Sequence, residues 1–194
     1  MYNPTIAMAD KAVSTFSRIG MVARWRPVHL GHTPVLRALC QTAEKALIGI
    51  GSSNTYDYRN PFTLEETKDM LRLALVDYNN YTFIAVPDLF DGPRWRDMVQ
   101  ELFGDLDVYV TENPYVTDLM KGIYNVIKPV ELVPDDEKIP LNGTMVRQAM
   151  ARGEDWQAMV PPEIASYIEN KGLDERFRTE FGLETLAKQT MTSH

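Results

Sequence analysis

The sequence predicts an α/β fold, a Rossmann-like parallel sheet of about five strands covered by helices, with a helical C-terminal part. Three observations predict it. Short apolar runs alternate with helix-period segments from Arg18 to Val133. One of those runs, Leu47-Ile48-Gly49-Ile50-Gly51, is apolar without alternation, as expected of a strand covered on both faces. Beyond Pro140 only helical patterns remain. Strands that alternate with helices make a parallel sheet, because each parallel pairing needs a crossover long enough to hold a helix.

The elements follow in order. Residues 1–17 carry no strong signal and are expected to form an N-terminal extension to a single domain spanning 18–194 that includes the C-terminal helices. Arg18 to Ala23 reads as the first buried strand. Pro34 suits the first turn of a helix, where its missing N–H costs nothing, and Val35, Leu36, Leu39, Cys40 and Ala43 give that helix an apolar face. Leu47–Gly51 is the second strand. Thr63-Leu64-Glu65-Glu66 has the spacing of a capping box and opens a helix through about Tyr78. Thr82 to Val86 is a third strand, followed by a helix from about Trp95 to Phe103. Val108 to Val110 is a fourth, Thr117 to Lys121 a short helical piece, and Val130 to Val133 the expected fifth strand. Helices are expected over Thr144 to Ala151, Pro162 to Asn170 and Asp174 to about Gln189, punctuated by Gly153 and Gly172.

The 194 residues carry a formal charge of -7. A protein that grips nucleic acid through its phosphates usually shows a net or clustered basic surface, so nucleic acid is not expected as a partner. A small anion remains possible, since it needs only a local basic pocket. No segment approaches the roughly 20 apolar residues of a membrane span, and the N-terminus lacks signal-peptide character, so a cytoplasmic protein is expected. A homo-oligomer is expected, and Phe177, Phe181, Leu183 and Leu186 give the last helix an apolar side to pack on its own domain or on a neighbouring subunit. The single cysteine, Cys40, excludes an intrachain disulfide and reads as inert core packing.

Both internal histidines, His29 and His32, fall in the loop between the first strand and the first helix, separated by Leu30 and Gly31. In open α/β sheets ligands bind beyond the carboxyl ends of the strands, where helix starts offer N–H groups and positive dipole to an anion. Two imidazoles there, with Arg24 and Arg26 beside them, suit phosphate binding and stabilisation of charge in phosphoryl or nucleotidyl transfer. A zinc site would need more His or Cys ligands than the chain supplies, so no protein-bound metal is expected. Asn142-Gly143-Thr144 opens the helix carrying Arg147, whose forked guanidinium suits a phosphate. Asp88 suits a ribose or carboxamide, and Arg59 a substrate phosphate.

His29-Leu30-Gly31-His32 has the form of the H-x-G-H signature, and Leu141 to Arg147 resembles its companion I-S-G-T-x-V-R. Together they resemble the nucleotidyltransferase superfamily of first-class aminoacyl-tRNA synthetases and small adenylyl- and cytidylyltransferases. Ala23 to His32 is similar to the G-R-F-Q-P-F-H-x-G-H of the archaeal-type nicotinamide-nucleotide adenylyltransferases, and further similar stretches fall in order over about Met21 to Asn170.

The resemblance implies transfer of AMP from ATP to nicotinamide mononucleotide by direct in-line attack, giving NAD and pyrophosphate, with Mg²⁺ bound through the phosphates. It implies His29, His32 and Arg147 as catalytic residues. Arg24, Trp25, Gly31, Asn142, Gly143 and Thr144 would bind ATP, and Trp95 the mononucleotide, with the pyridine ring stacked on it; Asp88 and Arg59, read from their own loops, are further expected mononucleotide contacts. Arg26 stands where Gln is usual, Thr67 where Arg is usual, and Gly92 where Asn is usual. Arg26 and Gly92 keep open another phosphorylated acceptor with ATP or CTP; a nucleotide-binding regulatory protein without catalysis is the second alternative, against which the retention of His29, His32 and Arg147 argues.

Overall fold

A computed structural model describes residues 15–192, with side chains to 188. Five parallel strands, β1 (Phe16–Ala23), β2 (Ala43–Gly51), β3 (Tyr81–Val86), β4 (Val108–Val110) and β5 (Val126–Ile127), form one sheet in the order β3-β2-β1-β4-β5. Seven α-helices accompany them among the described residues: α1 (Thr33–Thr42), α2 (Leu64–Ala74), α3 (Gly92–Phe103), α4 (Pro114–Met120), α5 (Gly143–Arg152), α6 (Pro162–Asn170) and α7 (Leu173–Thr192). The expected extension lies largely outside the described residues, and β1 takes in Phe16 and Ser17. None of the described helices is long and apolar enough to cross a membrane.

The two faces of the sheet sort the core by the period of two that a strand imposes. Ala46, Ile48 and Ile50 of β2, with Val108 and Val110 of β4, join a large cluster containing Leu36, Met70, Val146, Met150 and Ile164. Leu47 and Tyr109 point the other way, into a smaller cluster with Val99, Phe103 and Met120 of α3 and α4. The continuous apolar run in β2 reflects burial on both faces. Glycine is needed where Phe103 crosses the sheet: a Cβ on Gly49 would lie 2.6 Å from Val22 and 2.9 Å from the Phe103 ring.

The fifth strand is one correction to the sequence-based expectation. Val126 and Ile127 pair with Tyr109 and Val110 of β4, whereas Pro129–Glu131 forms a 3-10 turn. Pro129 has no N–H for a ladder, and the Glu131 carboxylate accepts the Lys128 N–H at 2.7 Å, closing a local turn at the point where a strand would need extended backbone. Helix α2 ends at Ala74, short of Tyr78, with the Leu75 N–H turning back onto Leu71 and Arg72. Its start is as expected: Thr63 and Glu66 form both bonds of the capping box.

Candidate functional site

The strand order reverses beside β1, so the loops leaving β1 and β4 diverge to opposite faces and open a crevice between them. A cavity of about 470 Å³ lies there, lined by Arg24, Trp25 and His32 after β1, Ser52 after β2, Asp88 after β3, Thr111 after β4, and Gly143, Thr144 and Arg147 of α5. Four strand ends and the start of α5 thus meet at one place. A second cavity, of about 680 Å³, lies across the start of α1 and has mainly apolar walls, including Pro129, Val133, Ile139 and Leu141. Asn142 lines both.

The two signature loops touch directly. A Cβ on Gly31 would sit 2.5 Å from the Leu141 carbonyl oxygen, so glycine is required for the first loop to lie against the second. Arg147, from the first turns of α5, donates through Nη1 to the Arg26 carbonyl at 2.8 Å and through Nη2 to Thr144 Oγ1 at 3.2 Å. Arg147 is buried, and that burial, with the charges of Arg24 and Arg59, lowers its pKa to about 10. Arg24 and Arg147 thus bring two guanidinium groups to one opening, with the charge of Arg59 felt from its loop, an arrangement that an anion relieves.

His32 lines the 470 Å³ cavity, with the Trp25 ring edge against it at a centroid distance of 4.8 Å. His29 is buried behind it, stacked on His32 at 3.6 Å. Burial and the Arg147 charge lower the His29 pKa to about 4, and burial beside His29 holds His32 well below its ordinary value. Both rings are therefore neutral at pH 7, and the Nδ1 atom of each is buried without a hydrogen-bond partner. Trp25 is buried and commits its indole N–H to the Gly49 carbonyl at 2.9 Å, so it offers the cavity a surface but no donor.

At the start of α5, the Asn142 Oδ1 accepts the N–H groups of Thr144 and Met145 at 3.0 and 3.1 Å. Asn142 is thus the cap, and an anion at this helix start meets the Arg147 guanidinium and the Thr144 hydroxyl before it meets those two amides. Asp88 and Trp95 line the main cavity, and the loop carrying Asp88 is clasped by Asn54, which exchanges two hydrogen bonds with its backbone. Arg59 is exposed on its loop, its guanidinium 5.4 Å from the Tyr58 ring centre, and does not line that cavity. Cys40 is buried in the core, with its thiol pushed up to about 12 by burial.

Arg26 has a part that its sequence position did not suggest. It is buried at the wall of the cavity, and its guanidinium is committed to Thr67 Oγ1, the Ser52 carbonyl and Asn60 Oδ1, to each of which it donates. The wall residues Thr111 and Asn113 were missed as well, although their place directly after β4 is the signal that finds them.

A site of paired signatures at the carboxyl end of a parallel sheet defines a nucleotidyltransferase-like class, and residues 22–166 match the cytidylyltransferase-like family, to which this chain belongs. Within that class it is similar to the nicotinamide-nucleotide adenylyltransferase of Methanococcus vannielii, 33% identical over 153 residues that cover 78% of this chain and 87% of that one. It is also similar to the enzyme of the same name from Thermococcus kodakarensis, 31% identical over 176 residues, 87% of this chain and 91% of the other. The fold is shared with a bifunctional NMN adenylyltransferase/ADP ribose pyrophosphatase from Francisella tularensis, at a TM-score of 0.71 and 18% identity over 92% of this chain. This chain spans 57% of that protein, which has also been solved in complex with AMP and a manganese ion.

Proposed function

We propose that this chain transfers AMP from ATP to nicotinamide mononucleotide, giving NAD and pyrophosphate. The observation that carries the reading is the clasp of the two signature loops, Gly31 on Leu141 and Arg147 on Arg26, between two cavities that share Asn142. In this reading the adenosine of ATP lies in the apolar 680 Å³ cavity and the mononucleotide in the 470 Å³ cavity, its ring on Trp95. A flat π-face suits a cationic heterocycle.

The reaction forms a bond from a mononucleotide phosphate oxygen to the α-phosphorus and breaks the bond from that phosphorus to the oxygen bridging to the β-phosphate. Electrons pass to the departing pyrophosphate, so negative charge grows there. His32, Arg147, the Thr144 hydroxyl and Arg24 surround that position, with His29 completing the pair behind His32. Catalysis is then orientation of two phosphates in line plus stabilisation of the charge on the leaving group, with no covalent intermediate. Arg59 approaches from its exposed loop once a phosphate draws it in, and Asp88 takes a ribose hydroxyl.

Among the described residues no group of three or more His, Cys, Asp or Glu side chains converges on an ion. A Mg²⁺ would be carried on the phosphates and its own waters, which is how that ion is commonly presented. When bound, it would neutralise charge on the leaving pyrophosphate.

The test is incubation with ATP, Mg²⁺ and nicotinamide mononucleotide, following NAD and pyrophosphate together. His32→Ala should lower kcat by about a hundredfold or more while leaving the mononucleotide KM within a few fold. Pyrophosphate release without NAD, from another phosphorylated acceptor, would assign a different acceptor. ATP binding with no turnover on any acceptor would assign a regulatory protein.

A further inference from the structure

Beside Trp95 the main cavity continues into a recess of about 340 Å³, lined by Asp88, Leu89, Trp95, Tyr115, Val116 and Leu119. Asp88, Trp95 and Val116 belong to both spaces, so whatever stacks on Trp95 reaches the recess. Its walls are mostly apolar, and in such a pocket the few polar groups fix the orientation of the ligand.

Gly92, in the first turn of α3, needs explaining. Its φ is not among the positive values of the described residues, so nothing in the backbone asks for glycine there. Glycine in a helix costs about 1 kcal/mol relative to alanine. The reason is space: a Cβ on Gly92 would fall on the Tyr115 hydroxyl oxygen, with the Leu119 side chain 3.3 Å away. Gly92 and Trp95 are three residues apart on one helix and share a face. The Tyr115 hydroxyl therefore stands at the first turn of α3, in the place that a side chain of residue 92 would have filled, and Tyr115 and Trp95 line the same recess.

Tyr115 is held there by the start of α4, where Asn113 Oδ1 accepts its backbone N–H at 3.0 Å. The residue is 61% exposed, so it is no core residue of α4, and its hydroxyl reaches across to Gly92 of α3. Such a reach over a glycine brings a hydroxyl, both donor and acceptor, to the rim of the stacking platform.

We propose that the Tyr115 hydroxyl is a specificity-determining contact, hydrogen-bonding the carboxamide on the pyridine ring of the acceptor while that ring stacks on Trp95. The inference rests on the function proposed above. Gly92 is then part of the same device, since it keeps the position open for the hydroxyl. Chemically, the contact selects for a ring that carries a hydrogen-bonding substituent.

The experiment is steady-state kinetics of the full chain with two acceptors, nicotinamide mononucleotide and the corresponding pyridine mononucleotide without the carboxamide. Tyr115→Phe should raise the KM for nicotinamide mononucleotide about five- to tenfold, the worth of one neutral hydrogen bond, and leave the KM for ATP within twofold. With the acceptor lacking the carboxamide, wild type and Tyr115→Phe should have the same KM within twofold. Gly92→Ala should weaken the natural acceptor in the wild-type background, and have a smaller effect on top of Tyr115→Phe, where the methyl meets only the ring edge, with Cζ at 3.0 Å. An unchanged KM in Tyr115→Phe overturns the proposal, as does an equal rise for both acceptors, which would mark a packing role. A wild-type chain that forms no NAD overturns the parent reading together with this one, and that outcome is visible before any variant is made.

Discussion

Arg26 Nε donates to Thr67 Oγ1 at 3.1 Å, joining two residues that are 41 apart in the chain. Both depart from the pattern that their surroundings resemble, one gaining a guanidinium and the other giving one up. In the fold these two positions, one on the loop after β1 and the other on α2, are in direct contact. The Arg26 guanidinium lies between Thr67, Ser52 and Asn60, while its backbone carbonyl receives Arg147. Arg26 thus ties the loop after β2 and the helix start of α2 to the second signature.

That relationship predicts coupling. Arg26→Gln should destabilise the chain by about 2–4 kcal/mol, because buried acceptors on Ser52 and Asn60 lose their donor. In a chain of this size that lowers Tm by on the order of 5–15 °C. Adding Thr67→Arg should recover at least half of the loss by returning a guanidinium to the same space. A double-mutant cycle in thermal melts reads this directly, and losses that simply add would show that the two positions are independent.

The loop-on-loop contact gives a second prediction. Gly31→Ala places a methyl 2.5 Å from the Leu141 carbonyl oxygen, and backbone on both sides leaves little room to yield. The loops must part by about an ångström, and misplacement on that scale costs about a hundredfold in rate. The expected outcome is that kcat/KM for ATP falls by that factor while the circular dichroism spectrum is unchanged. Wild-type kinetics in Gly31→Ala would mean that the clasp is not needed for turnover.

These two contacts also show how far the sequence could be read. The parallel sheet was legible because both-face burial writes an unbroken apolar run into β2 and an amphipathic period into α1, α2 and α5. The meeting of His32 with Thr144 and Arg147 at one cavity was legible too, since strand ends and helix starts converge in any such sheet. The fifth strand was not. Val130 to Val133 has strand-like residues, but pairing with β4 is set by register, and Pro129 with the Glu131 carboxylate closes a turn there first. Nor could the inward reach of Arg26 be read, because periodicity tells which residues face the core but not that a buried cation finds three acceptors on distant segments.

The neutral histidines give a pH dependence whose sign is fixed. Unfolded imidazoles bind protons below about 6.5. Folded His29 does so only near 4, held down by burial and Arg147. Between these values the unfolded chain carries the extra proton, so stability is full above about pH 6.5 and declines as pH falls toward 4. For His29 alone the loss amounts to about 3 kcal/mol. His29→Asn should flatten the fall of Tm between pH 6.5 and 4.5 relative to wild type, and parallel curves would sink the idea. Bound triphosphate opposes this trend by favouring the protonated rings, so proton uptake on ATP binding near pH 6 is expected in calorimetry across buffers of different ionisation enthalpy.

The C-terminal helix reaches the site through the same lattice of hydrogen bonds. Arg176 of α7 grips Glu66 with two bonds, at 2.6 and 2.8 Å, and the Pro61 carbonyl at 3.0 Å. Glu66 is the reciprocal acceptor of the capping box that begins α2, and Thr67, the next residue, receives Arg26. Hydrogen bonds from Arg176 and from Thr63 outweigh the cost of burial and hold the Glu66 carboxyl below its ordinary pKa. A carboxylate shifted down stabilises the fold above its unfolded pKa, and that contribution is lost as pH falls through the lower folded value. Arg176→Met keeps most of the aliphatic packing and removes the charge, leaving the partly buried Glu66 without its cation. The expected cost at pH 7 is about 1–3 kcal/mol. The difference in Tm from wild type should shrink as pH falls through the depressed folded value of Glu66, below which the carboxyl is protonated in both chains. Because the lattice ends on Arg26 and Arg147, the variant should also raise the KM for ATP, and restoring the cation with Arg176→Lys should recover part of both effects. A penalty that is the same at every pH would mean that Arg176 acts through packing alone.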